Sequence, residues 1–293
     1  MQETRLSGVS QVPRFDMTWP RLQSRLLLEY YRLAFSWHAR RNGRGRAVTL
    51  QRDGDLVRVH DGVRQMTVPH VRCATDFRHG VNARLEAVAE KYVGGTGYAP
   101  RAGDVVVDIG AGIGEFTLWC ADQGARVVAF EPDPLAFECL GRNTYLQPSI
   151  SSFPYALWKE RVDLRLHGSL DTRESSLIED GRANTRNADV EAWPLDQLQF
   201  MAQLPVIDFM KVDGEGVEPE ILAGAARTLR RTRLLAIDVG ATGRRPNVKS
   251  RVELLLDSAK FRPLANDRAE TILALNTAMV GPVNTRVPGR RGS

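Results

Sequence analysis

Along the 293-residue chain the spacing of apolar positions changes several times, and each change predicts a different element. Between residues 19 and 41, Leu22, Leu26, Leu27, Tyr30, Leu33, Ala34 and Trp37 recur every three or four residues, the stripe of a helix, with Arg21, Arg25, Arg32 and Arg40 among the other positions. That stripe is expected to pack on the main body. Residues 47–71 read as short strands broken at Asp53-Gly54 and Asp61-Gly62, dipeptides that favour tight hairpins. A helix is expected over 82–92, closed by Gly94, Gly95 and Gly97. From Gly103 onward strand-like and helix-like runs alternate, which predicts a parallel sheet with helices on both faces. Strands are expected at 105–109, 126–130, 152–157, 162–167, 206–212, 234–239 and 271–275, and helices at 115–122, 134–145, 218–229 and 248–259. Residues 171–189 are polar and aperiodic, the mark of a surface loop long enough to be a lid. The chain thus divides into a helical and β appendage over 1–100, whose first 18 residues read as a loose arm, an α/β domain over 101–280, and a tail at 281–293 expected to be disordered.

Charge adds a bias rather than a function. The formal net charge is +5, and residues 1–100 hold sixteen Lys/Arg against nine Asp/Glu, a net of +7. Such a surface tolerates acidic partners, yet basic surfaces often only confer solubility. With its arginines and aromatic residues, 19–41 also has the makings of a peripheral membrane contact, a lesser reading beside docking on the core. Cys73, Cys120 and Cys139 are odd in number and form no C-x-x-C pair, so neither a disulfide framework nor a zinc site is suggested. No apolar run approaches the roughly 18 residues that span a bilayer, and no signal segment opens the chain, so a cytoplasmic location is expected.

The chemistry concentrates after the first strand of the α/β region. Asp108-Ile109-Gly110-Ala111-Gly112-Ile113-Gly114 follows an apolar run and opens a helix, where glycines let backbone approach a ligand and the helix start offers unpaired N–H groups. A dinucleotide loop, G-x-G-x-x-G, would need glycine at position 115, which is Glu115. The acids Asp108 and Glu115 repel a pyrophosphate and suit a cationic ligand such as S-adenosylmethionine, which carries a sulfonium and an ammonium and no phosphate. Glu131 ends the next strand about 20 residues after the loop, where a carboxylate can accept hydrogen bonds from both ribose hydroxyls. Pro132, Asp133 and Ala156 complete the expected cofactor set. Lys211, Asp213 and Glu215 alternate at a later strand end and would share a side if the chain stayed extended. Asp213 is the first candidate for a general base, Glu215 the second. No metal site is assigned, although Asp213 and Asp238 form an acid pair able to hold a hard cation.

These residues carry a family resemblance. Residues 92–275 resemble the FkbM methyltransferases, through the run from Gly103 to Phe116, Phe130-Glu131-Pro132-Asp133-Pro134, Pro194-Leu195-Asp196-Gln197-Leu198 and, most specifically, Asp208 to Gly216 followed by Glu220-Ile221-Leu222-Ala223-Gly224-Ala225. Two positions depart from the family: Gly112 stands where asparagine is common and Asp238 where glutamate is usual. The resemblance implies a Rossmann-like class I methyltransferase fold with a mostly parallel, doubly wound sheet, S-adenosylmethionine as cofactor, and O-methylation of a small-molecule, sugar or glycan hydroxyl. No nucleic acid is expected as a partner, since there is no Asn-Pro-Pro-aromatic segment and no cysteine near Asp213. A nucleic-acid methyltransferase and a non-catalytic cofactor-binding protein remain the alternatives. The acceptor's identity and the oligomeric state leave no readable pattern.

Overall fold

Apolar runs flanked by glycines become the central strands of a buried sheet in the computed structural model, which describes residues 26–35, 37, 48–169, 175–177, 185–240, 247–266 and 268–279. The expected arm at 1–18 and tail at 281–293 lie outside those residues. The described residues open on helix α1 (residues 26–35), followed by an antiparallel meander of β1 (Thr49–Asp53), β2 (Leu56–His60) and β3 (Gln65–Val68), a 3-10 helix (Val71–Phe77) and helix α2 (Val81–Val93). The α/β part follows: β4 (Val105–Ile109), α3 (Glu115–Asp122), β5 (Arg126–Phe130), α4 (Pro134–Thr144) and β6 (Ile150–Phe153). A side sheet comes next, from β7 (Ala156–Leu157), β8 (Val162–Ser169), β9 (Ser175–Ser176) and β10 (Thr185–Trp193). The main sheet is completed by α5 (Gln199–Ala202), β11 (Ile207–Val212), α6 (Glu218–Ala223), α7 (Ala226–Leu229), β12 (Thr232–Asp238), α8 (Val248–Ser258), β13 (Phe261–Pro263) and β14 (Thr271–Asn276).

Seven strands pair in the order β13-β14-β12-β11-β4-β5-β6, parallel except for β14, which runs antiparallel to both its neighbours. This is the doubly wound, Rossmann-like sheet that the alternation of runs predicts. Successive residues of a strand face opposite sides, and both sides are covered. Val106, Val127 and Phe209 join one buried cluster with Ala89, Tyr92 and Phe116, while Val107, Val128 and Met210 join another with Ile221 and Val252. Strand order reverses between β4 and β11, so a crevice opens beyond their carboxyl ends, where ligands collect in such sheets.

Four expectations need correcting. The span 152–157 is two strands in two sheets, β6 and β7. The helix expected over 218–229 breaks at Gly224-Ala225 into α6 and α7; Gly224 lies so close to the Trp158 carbonyl that a side chain there would collide with it. The loop expected at 171–189 gives way to β9 and β10, with 171–174 and 178–184 outside the described residues. Pairing with β8 overrides the local polarity: Val190 and Ala192 are buried with Leu166 on one face of the ladder, while Asp189 and Glu191 alternate onto the other, where Glu191 is bound to Arg161 at 2.6 Å.

The fourth correction concerns α1. Leu26, Tyr30, Leu33 and Trp37, the stripe expected to pack, face solvent, whereas Leu28 and Phe35 are buried in a cluster with Leu50, Val59 and Phe77. This helix has two apolar sides, and a 3.6-residue period does not choose between them. Tertiary contacts do: the Arg32 side chain donates to the Leu50 carbonyl at 2.9 Å and fixes the rotation of the helix against the meander.

Candidate active site

The glycine loop is anchored from behind by charge. Asp108, on β4, is fully buried and accepts hydrogen bonds from Thr117 Oγ1 at 2.6 Å and Lys211 Nζ at 2.9 Å. Lys211 Nζ also donates to the carbonyls of Ile109 at 3.2 Å and Gly110 at 2.7 Å, so each of its three N–H groups has an acceptor. Burial works to lower the pKa of Lys211, but the carboxylates of Asp108 and Asp213 raise it above the usual lysine value. The ammonium therefore stays charged and bolts β11 to the loop.

At the loop itself the backbone N–H groups of Gly110 and Ala111 both donate to the Phe130 carbonyl at 3.0 Å, holding the turn against the end of β5. Glu131, the next residue, is buried; its Oε2 accepts from Gly112 N at 2.7 Å and its Oε1 from Asp133 N at 2.8 Å. A carboxylate has about four lone-pair sites, so both oxygens retain capacity for a ligand's hydroxyls. Burial pushes the carboxyl up to about 7, against the pull of these N–H groups. Asp133 is turned away: it caps α4, accepting from Leu135 N at 2.8 Å and Ala136 N at 3.2 Å. Gly114, the N-cap of α3, backs onto Leu140.

The expected alternation of Lys211, Asp213 and Glu215 does not persist, because β11 ends at Val212 and Glu215 takes a left-handed φ of 55°. Asp213 Oδ2 instead accepts from the Tyr92 hydroxyl of α2 at 2.6 Å. Glu218 sits under the turn, its Oε1 accepting from Gly214 N at 2.9 Å and Gly216 N at 3.0 Å. Asp238 pairs with Lys91, also on α2. Among the described residues no group of three or more His, Cys, Asp or Glu is arranged to hold a metal ion.

All of this surrounds a cavity of about 570 Å³. Gly110, Gly112, Glu131 and Pro132 form one part of its wall, beside Tyr155 and Ala156. Lys211, Asp213 and Glu215 form another. Asp108, Gly114 and Asp133 support the wall from behind it. Glu115 lines the cavity too, but is bound to Arg84 Nε at 3.0 Å, and burial raises its carboxyl against the charge of that arginine. The acids of the loop are thus largely balanced by protein cations, a neutralisation invisible to a reading of the loop alone. Sequence reasoning missed the contributions of Arg72, Arg84, Lys91 and Tyr92, which belong to no motif; the placement of the last three on α2, the helix that precedes the sheet, was their only signal.

The wall fits a nucleoside with an amino-acid tail. Gly112, at φ +57°, has open space where a Cβ would stand, and the Glu131 carboxylate lies beside it. The FkbM methyltransferase domain matches residues 108–263, more than half of the chain. The chain belongs to the FkbM methyltransferase family. Its cofactor is S-adenosylmethionine, and its sheet is that of the class I methyltransferases. It is 27% identical over 142 residues to the hexuronic acid methyltransferase AglP of Haloferax volcanii, covering 47% of this chain and 56% of AglP. It is 27% identical over 201 residues to the methyltransferase sdnD of Sordaria araneosa, covering 56% of this chain and 76% of sdnD. The chain thus spans little more than half the length of AglP. The crystal structure of Aeropyrum pernix fibrillarin with natively bound S-adenosyl-L-methionine superposes at a TM-score of 0.41 with 14% identity, over 78% of this chain and 99% of that one. That similarity is too low to add to what the strand order and the family match establish.

Proposed function

We propose that this FkbM protein transfers a methyl group from S-adenosylmethionine to a hydroxyl of a sugar, glycan or natural-product acceptor. The observation that carries the reading is that one cavity joins a ribose-type carboxylate, Glu131, to an acidic strand end, Asp213 and Glu215. The sugar class draws support from the name of AglP. When bound, the cofactor supplies a methyl already activated on a sulfonium. Glu131 takes the ribose hydroxyls, Gly110 and Gly112 allow backbone to lie along the ligand, and Pro132, Tyr155 and Ala156 wall its base. Asp213 accepts the proton of the acceptor hydroxyl, held in place by Tyr92, with Glu215 the next candidate. Methyl transfer is an in-line displacement, so alignment of donor and acceptor is most of what these residues provide. Lys211 acts by positioning the loop. Residues 1–100 form an appendage whose 3-10 helix and α2 close the acceptor end of the 101–280 domain.

The test begins with calorimetry. S-adenosylhomocysteine binds the native protein, and Glu131→Ala, which removes a charge-assisted pair of hydrogen bonds, weakens it by on the order of 2 kcal/mol, more than tenfold. Unchanged affinity would mean that the ribose site is elsewhere. Mass spectrometry of glycans, lipids and small metabolites from cells with and without the gene then identifies the acceptor as the species that loses an O-methyl group. Loss of methyl groups from nucleic acid alone would replace the acceptor class.

A further inference from the structure

The amino-acid end of S-adenosylmethionine carries a carboxylate and an ammonium, and the residues that hold the ribose do not reach it. Glu131 follows β5, and in the sheet the glycine loop at the end of β4 lies between that strand and β11. A ligand that starts at Glu131 and crosses the loop meets the stretch of cavity wall supplied by Glu115 and by Arg84, Ala87, Val88 and Lys91 of α2. Backbone amides of such a loop are the usual receptors for an anion. Here they are taken: Gly110 N and Ala111 N donate to the Phe130 carbonyl, and Gly112 N donates to Glu131. The carboxylate therefore needs a cation.

Two cations of the wall are tied to the loop and to the helix it opens. Lys211 is 3% exposed, and its three N–H groups already go to Asp108, Ile109 and Gly110. Arg84 is different. Its side chain is 25% exposed, its Nε donates to Glu115 Oε1 at 3.0 Å, and its Nη2 stands 3.5 Å from Asp76 Oδ2, an ion pair longer than a usual hydrogen bond. Among the described residues its Nη1 has no partner. A guanidinium carries five N–H donors in a fixed fork, so Glu115 can hold the inner nitrogen while the outer pair meets a carboxylate. We propose that Arg84 binds the carboxylate of S-adenosylmethionine, with Glu115 holding the guanidinium in place. Arg84 stands on α2 of the 1–100 appendage, outside the 108–263 match, so the appendage completes the cofactor site as well as closing its acceptor end.

This assignment rests on Glu131 as the ribose site and does not depend on the acceptor. Calorimetry on the full chain at constant pH tests it with three ligands: S-adenosylhomocysteine, its decarboxylated analogue, and 5′-methylthioadenosine, which lacks the amino-acid end. Arg84→Met is expected to weaken S-adenosylhomocysteine by roughly ten- to a hundredfold, the size of a charge-assisted contact, and not to weaken the other two. The native protein should prefer S-adenosylhomocysteine to the decarboxylated analogue, and Arg84→Met should lose that preference. Arg84→Lys keeps the charge without the fork and should recover only part of the loss. Unchanged S-adenosylhomocysteine affinity in Arg84→Met would overturn the proposal, and so would an equal loss for all three ligands, which marks damage to the site as a whole. Glu131→Ala keeps the two assignments apart. A preference for the carboxylate that survives Arg84→Met refutes the role of Arg84 even where Glu131→Ala weakens 5′-methylthioadenosine, whereas a Glu131→Ala protein that binds 5′-methylthioadenosine unchanged refutes the ribose site alone.

Discussion

Asp213 and Lys211 are two residues apart on the chain and do different work. Burial and the neighbouring Asp213 charge push the Tyr92 phenol well above its usual pKa, so the hydroxyl stays a donor and leaves Asp213 an acceptor. If Asp213 is the base, Asp213→Asn slows methyl transfer by roughly 10²- to 10⁴-fold with little change in S-adenosylhomocysteine affinity. Glu215→Gln, made separately, should have the smaller effect; near-native rates in both would send the search for a base elsewhere on the cavity wall. Lys211 is a structural ion instead. Replacing it with methionine strands the buried Asp108 carboxylate, which should cost about 3–5 kcal/mol in urea unfolding. Adding Asp108→Leu should return part of that loss, because an apolar pair no longer buries an unpaired charge. A Lys211→Met protein as stable as the native one would mean that the pair is not what anchors the loop.

At the scale of elements, the glycine loop separates two uses of glycine that look alike in sequence. Gly110 and Gly112 both have positive φ, at 73° and 57°, but a Cβ on Gly110 would strike the Asp213 carbonyl oxygen, whereas one on Gly112 meets nothing. Gly112→Ala should therefore cost only the left-handed strain, about 1 kcal/mol of stability. Gly110→Ala adds displacement of the β11 end to that strain and should abolish detectable cofactor binding in calorimetry. Equal effects from the two substitutions would show that the loop is not packed as described. The strands and helices of the α/β part were legible because apolar runs punctuated by glycine and proline report burial on both sheet faces. Strand β10 was not, since its polar positions gain their place only from β8, and neither was the rotation of α1, whose two apolar sides are equivalent until Arg32 finds the Leu50 carbonyl.

Across the whole molecule, buried carboxyls tie stability to pH. Burial raises Glu131 from 4.5 to about 7 and Glu218 from 4.5 to about 7. Between those values the folded protein binds more protons than the unfolded chain, so stability is expected to fall as pH rises through this window. Asp61 acts at lower pH: burial raises it, but the N–H groups of Arg64, Val63 and Val81 outweigh that and hold it below its usual 3.8. Cofactor binding runs the other way, because ribose hydroxyls donate to an ionised Glu131. Thermal midpoints of the free protein should decline from pH 5 to pH 8, while the increase in midpoint given by S-adenosylhomocysteine should grow over the same range. Glu131→Gln should abolish that growth, and a ligand effect that shrinks with pH would contradict the assignment of Glu131.

The doubly wound sheet, the glycine loop with Glu131 and the acidic end of β11 are legible along the chain, because each depends on local signals: period, turn chemistry and spacing along one strand-loop-helix unit. Where charge resides is set by the three-dimensional fold. Asp108 meets Lys211 across 103 residues, Asp213 meets Tyr92 across 121, and Asp238 meets Lys91 across 147. Ion pairs and hydrogen bonds depend on distances of a few ångströms in space, which the fold sets and no local pattern records. The same holds for α1, whose exposed stripe became visible only once the meander had covered its other side.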